Sequence, residues 1–368
     1  MLVVALGAVA CADVGGPGTP EYEVVDLGAL LPECSDPATC ESRAYDLNDA
    51  GQIVGFHTEI GPFLLDGATL TILPGAPDCL YGPGKCGYAV AINEAGLIVG
   101  HLDSLGGSSP WGPGVLWSGG APVSLDLLAT DIDDAGLLVG SVRDSSLDGT
   151  VRVAAIQGPD SITRIGILAG GRGSEATAIG SAGHVVGWSE VVIDTVDGDP
   201  GGLTVHAFLW QPSGLVDLGP EWEADGGFPF RRRESWANAV NGLGEVVGWF
   251  DGGAWDPSGG GYERWAVIWR NGTFSQLPPL GPPRSIAMDI NDAGWVVGGS
   301  RDPAGQDRAV LWRNDEVIDL GTLPGYVASH AYRINEAGDI VGFSFGRDGT
   351  KPPQYARATL WRRVRVGG

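Results

Sequence analysis

Asp46, Asp131 and Asp289 occupy one position of a segment that recurs along the chain, and Arg333 occupies the same position of a further copy. Carboxylates gathered beside a guanidinium can trade protons as general acid and base, or simply hold water. Ala91, Ala178 and Ala239 fill that position elsewhere, so any such chemistry would rest on three acids and one base. Among the five histidines, His57 and His101 follow the same strand of neighbouring copies and could meet on one face in a catalytic or ligand role; His206 and His330 open strands and read as structural. No histidine pair, His184 included, has metal-ligand spacing, and no Cys-x-x-Cys occurs. Gly-x-Ser-x-Gly, Walker and dinucleotide-binding patterns are also missing. The expectation is therefore no catalytic residue, no metal and no cofactor.

Asp46-Leu47-Asn48-Asp49-Ala50-Gly51 looks like the start of a calcium loop. Such a loop needs a ligand at its fifth position and a bidentate Glu at its twelfth, and this one has Ala at the fifth and no such Glu. Seven related Asn/Asp/Gly-x-x-Gly segments read instead as tight turns, in which a short polar side chain caps the backbone and Gly supplies the positive φ.

Aromatic residues are the richer signal. Of 13 Trp, five (Trp117, Trp210, Trp269, Trp312 and Trp361) end equivalent strands and read as packing. Six others, Trp111, Trp188, Trp222, Trp236, Trp249 and Trp255, fall in or beside long loops, where exposed rings next to carboxylates and amides suit sugar rings or a protein partner. Arg231, Arg232 and Arg233 form the only basic cluster and complete the candidate ligand-binding set.

The elements that position these residues are repeats. The block Ala-x-x-(Ile/Leu/Val)-(Asn/Asp/Gly)-x-x-Gly-x-(Ile/Leu/Val)-Val-Gly recurs from Ala44, Ala89, Ala129, Ala176, Ala237, Ala287 and Ala331, at the spacing of propeller blades. Each copy supplies a strand A, a tight turn, a strand B, a strand C that mostly ends in Trp, and a short strand D. The last copy lacks a strand D, and Glu21-Tyr22-Glu23-Val24-Val25-Asp26-Leu27-Gly28 matches the missing piece. The prediction is an all-β, single seven-bladed propeller over 21–366, whose last blade is completed by the N-terminal strand. A-to-B and C-to-D turns are short, whereas B-to-C and D-to-A connections reach the length of 188–205 and 220–235. These long connections emerge on one face.

The strings His206-Ala207-Phe208-Leu209-Trp210 and Asp319-Leu320-Gly321-Thr322-Leu323, with the Val-Val-Gly segments, resemble the HAF-repeat family from Glu21 onward. That resemblance implies a β-propeller-like bacterial repeat protein outside the cell and brings no catalytic residues with it.

Export is expected on separate grounds. Residues 1–10 read as the end of a signal-like leader, Cys11 directly after it as a lipidation site, and 11–20 as a flexible tether. Cys34 with Cys40, and Cys79 with Cys86, are spaced to staple two D-to-A loops as disulfides. A net charge of −23 excludes a nucleic-acid partner and leaves a lipid anchor as the only membrane contact. The resulting expectation is an extracellular or cell-envelope, lipoprotein-like monomer that binds a cell-surface glycan or protein without catalysis. The alternative is a propeller glycan hydrolase or lyase with acids and His at the channel mouth.

Overall fold

The computed structural model describes residues 21–34, 40–75, 86–102, 114–144, 151–192, 203–219, 234–256, 261–346 and 356–364, at 252–256 and 261–262 in backbone only. The expected leader, tether and Cys11, together with Cys79, Trp111, Trp222, Arg231, Arg232 and Arg233, lie outside the described residues. Seven four-stranded antiparallel sheets form a seven-bladed propeller.

Blade 1 runs Ser42–Leu47, Gln52–His57, Gly61–Asp66 and Thr69–Ile72, in the order A to D. Blade 2 runs Tyr88–Ile92, Ile98–His101, Gly114–Trp117 and Val123–Leu125. Blade 3 runs Leu128–Ile132, Leu138–Arg143, Arg152–Gln157 and Ile162–Gly166. Blade 4 runs Ser174–Ile179, Val185–Val192, Leu203–Gln211 and Gly214–Asp217. Blade 5 runs Glu234–Val240, Val246–Asp256, Gly261–Arg270 and Thr273–Gln276. Blade 6 runs Ser285–Ile290, Val296–Arg301, Asp307–Arg313 and Glu316–Asp319. Blade 7 takes Ala328–Ile334, Ile340–Phe345 and Arg357–Arg363 from the C-terminal end, and its outer strand is Tyr22–Asp26. Val24 pairs there with Trp361 and Asp26 with Thr359, so both ends of the chain close the ring as expected.

The repeat signature follows from the way seven sheets converge on one axis. Ala44, Ala89, Ala129, Ala176, Ala237, Ala287 and Ala331 are almost wholly buried, because innermost strands of neighbouring blades leave room for a methyl group only. Directly after each Ala the A strand carries one extra residue, a β-bulge that bends it. Across from the bulge stands the Gly of the Val-Gly pair. A Cβ at Gly55 would come within 2.0 Å of the Arg43 carbonyl oxygen, and one at Gly248 within 1.8 Å of that of Trp236, so no side chain fits.

Apolar packing lies between blades rather than within one. Trp361, Val24 and Tyr22 of blade 7 pack on Leu311, Leu320 and Val297 of blade 6, and equivalent clusters fill the other six interfaces. The C-strand Trp residues act as read from the sequence. Trp117, Trp269 and Trp312 are buried, and their indole N–H groups donate to carbonyls of Pro74, Leu218 and Pro278 in the preceding blade. Polar ties accompany them. The hydroxyls of Ser42, Ser174, Ser235, Ser285 and Ser329 accept the N–H of a C-strand Ala one blade back, at 2.9–3.0 Å.

Candidate binding mouth and channel

Each A strand starts at the loop-rich face and ends at its short turn, so its first residues ring the channel mouth and later ones ring deeper levels. At the mouth stand Arg43, Tyr88, Leu128, Glu175, Trp236, Ile286 and His330. The bulge level carries Tyr45, Val90, Thr130, Thr177, Asn238, Met288 and Tyr332. One step deeper lie Asp46, Ala91, Asp131, Ala178, Ala239, Asp289 and Arg333.

Two aromatic sectors face each other around this mouth. Across blades 7, 1 and 2, Tyr332 packs on Tyr45 (5.5 Å between centroids), Tyr45 on Tyr88 (6.3 Å), and Tyr88 on Phe56 (4.7 Å) and His101 (5.1 Å). Arg43 lies 4.6 Å over the Phe343 ring while donating to Glu41 at 2.6 Å and to the Tyr332 hydroxyl at 3.4 Å. Burial pushes the Tyr45 and Tyr332 hydroxyls up and the His101 imidazole down to about 4, so this sector holds its rings uncharged at neutral pH. In blades 4 and 5, Trp236 packs between Trp188 (5.0 Å) and Trp249 (5.6 Å, 15° between planes), and the Arg264 guanidinium lies 3.7 Å over Trp249. Asp251 grips that guanidinium through two bonds of 2.8 and 3.0 Å, which fixes the cation over the indole. The Trp236 indole nitrogen is buried with no acceptor. Glu175, opposite Trp188 in blade 4, takes a bond from the Ser141 hydroxyl of blade 3, and burial raises its carboxyl above the usual range.

The deeper acids are built into the wall. Asp46 accepts the N–H of its neighbour Leu47 (2.9 Å) and that of Ile92 in the next blade (2.8 Å). Asp131 and Asp289 likewise take the N–H groups of Ile179 and Ile334, each one blade on. Arg333 lies 3.6 Å from Asp46, and its charge opposes three carboxylates. Burial outweighs that cation, pushing Asp46 up to about 7 and Asp289 to about 6, with Asp131 raised as well. Such carboxyls could pass protons, but their oxygens already serve as staples between blades.

The structure changes the setting of the candidate tryptophans. Trp188, Trp236 and Trp249 lie on strands rather than in loops, because the B and C strands of blade 4 extend to Val192 and from Leu203, and those of blade 5 are longer still. Trp249 is buried, Trp188 and Trp236 half-buried. Trp255 has a strand backbone position opposite Tyr262. His57, the last residue of its B strand, sits beside the Cys34–Cys40 disulfide, and His101, the last of the next, packs on Tyr88. His206 faces Asp217 at 3.1 Å and His330 stacks on Phe343, both structural placements.

Cys34 and Cys40 are joined as expected; Cys86 is also disulfide-bonded, its expected partner Cys79 lying outside the described residues. Disulfides fit an oxidising compartment. Among the described residues no helix is long and apolar enough to cross a membrane. A cavity of about 270 Å³ lies on the opposite, short-turn face between blades 5 and 6, beside Trp295, Arg270 and Arg313. Both cations there are already paired, Arg270 with Glu245 at 2.6 Å and Arg313 with Glu21.

No family model matches the chain, and no curated protein matches it. Among solved structures, one from Thermus thermophilus, provisionally described as an oxidoreductase (glucose dehydrogenase), is 12% identical. The match covers 93% of this chain and 100% of that one with a TM-score of 0.35, too distant to bear on activity.

Proposed function

We propose that this chain is an exported, non-enzymatic binding module of the HAF-repeat kind, held at the cell envelope by lipid on Cys11, that takes a cell-surface glycan or protein at the loop-rich mouth. The observation that carries this reading is the pair of aromatic sectors, Tyr332-Tyr45-Tyr88 on one side and Trp188-Trp236-Trp249 on the other, with Arg43 in the first and Glu175 beside the second. Sugar rings stack on such faces while their hydroxyls need donors and acceptors at the edge, the chemistry that Arg43 and Glu175 bring to the mouth. Binding energy in such sites concentrates in a few aromatic and Arg anchors, each worth about 2 kcal/mol or more. A glycan array run beside a pull-down from the cell surface tests the reading: wild-type protein should retain a ligand that Tyr88→Ala and Trp188→Ala lose. Retention of every ligand by both variants would refute it.

A second reading, a propeller glycan hydrolase or lyase, draws on Asp46 and Asp289, whose raised carboxyls would be shared between acid and base forms near neutrality. Turnover of an array-selected glycan that is lost in Asp46→Asn and Asp289→Asn would favour it.

A further inference from the structure

The Cys34–Cys40 disulfide lies against a buried imidazole: His57 Nε2 is 3.6 Å from Cys34 Sγ and 3.9 Å from Cys40 Sγ. These three groups could surround a soft metal ion once the cysteines are reduced. The other ring nitrogen argues for different chemistry. His57 Nδ1 accepts the backbone N–H of Glu59 at 3.1 Å, so in the neutral ring the proton sits on Nε2 and points at sulfur, where a metal would need a lone pair. Burial lowers the His57 pKa and keeps the ring in that neutral form.

We propose that Cys34–Cys40 is a thiol–disulfide exchange site for a dithiol, with His57 as the positioning residue that stabilises the departing sulfur. A thiolate of the dithiol attacks Cys40 Sγ, the Sγ–Sγ bond breaks, and Cys34 leaves as a thiolate that takes the His57 Nε2–H hydrogen bond. The second thiol of the dithiol then loses its proton and attacks the mixed disulfide, releasing Cys40. The dithiol ends as a disulfide, its two protons end on Cys34 and Cys40, and two electrons pass to the protein. Cys34 is the natural leaving sulfur because it is the nearer to Nε2, and a thiol held by a donor leaves faster than a free one.

The test follows reduction of the full chain by dithiothreitol, with alkylation and mass spectrometry reporting Cys34, Cys40 and Cys86 separately. Wild-type Cys34–Cys40 should open about fivefold faster than in His57→Phe. The variant His57→Gln, which keeps an N–H donor, should recover part of that rate, and the bond at Cys86 should be indifferent to both. Alkylation of reduced wild type across pH should place the Cys34 thiol below the ordinary value of about 8.5. Equal rates in wild type and His57→Phe, or a wild-type Cys34 thiol titrating at or above the ordinary value, would overturn the assignment.

Discussion

The side-chain amide of Asn335 donates to the backbone carbonyl of Asn48 at 3.2 Å, joining residues 287 positions apart in one of five such links around the short-turn face. Asn48 passes the same bond to Asn93, Asn93 to Asp133, Asn241 to Asn291, and Asn291 to Asn335. A second set runs beside them: the Glu336 N–H reaches Asp49, that of Asp49 reaches Glu94, and that of Glu94 reaches Asp134. The Asn-x-x-Gly turns are thus connectors between blades. Each Asn oxygen caps its own turn, as Asn48 Oδ1 does for the Gln52 N–H at 2.9 Å, while its nitrogen holds the next blade.

The links skip where Asp133 and Gly180 replace Asn, since a carboxylate cannot donate and Gly has no side chain. Thr130 and Thr177 bridge the same two interfaces at the bulge level, nearer the mouth, to the carbonyls of Ala176 and Ala237. Asp133→Asn should therefore keep its cap on the Leu137 N–H and add a bond to Gly180, raising stability by about 1 kcal/mol in urea unfolding. Asn291→Ala, which removes both roles, should cost about 1–3 kcal/mol.

Stability should fall as pH rises from about 4 to about 7. Asp46 keeps its proton to about 7 in the folded chain but releases it near 3.8 when unfolded, so the native state binds the extra proton throughout that window. Raising the pH then favours unfolding. Melting curves at steps of pH should show this slope weakened in Asp46→Asn, whose side chain cannot ionise; an identical slope in the variant would show that the Asp46 carboxyl is not held protonated.

Removing 21–31 should open the ring. Val24, Val25, Leu27 and Leu31 are buried, and at about 1.5–3 kcal/mol each their loss alone is on the order of the stability of a whole domain. Four ion pairs go with them: Asp26 with Arg357 at 2.8 and 3.1 Å, Glu21 with Arg313 in blade 6 and with Arg363, and Glu23 with Arg362. Calorimetry should find the truncated chain unfolded or melting far below the full one, and an unchanged Tm would contradict closure by this strand.

Much of the fold is legible in the sequence because each blade writes its own local chemistry: the Gly opposite the bulge, the turn Gly and the buried Ala recur at fixed offsets. Bonds between blades are not, since donors and acceptors 40 or more residues apart meet only after the ring forms, as for Asn93 and Asp133. A repeated Ser two residues before Ala, at Ser42, Ser174, Ser235, Ser285 and Ser329, is the available clue. The site is harder to read. The Val-Gly ending of the motif reads as the end of strand B, which sets Trp188 and Trp249 beside loops, although Ser189 to Val192 pair onward with Leu203 to His206. The mouth tyrosines sit at bulge and mouth positions where the repeat tolerates any residue, so no pattern marks them.

Binding at the loop-rich mouth is tested most directly by comparing that face with its opposite. Leu243, 73% exposed in a turn of the short-turn face, serves as the control position. Titration of the array-selected glycan or captured surface protein into Trp188→Ala, Tyr88→Ala and Leu243→Ser, each checked for cooperative unfolding, gives three dissociation constants. The two mouth variants should lose about thirtyfold in affinity while Leu243→Ser keeps the wild-type value. Wild-type affinity in both mouth variants with loss in Leu243→Ser would place binding on the other face.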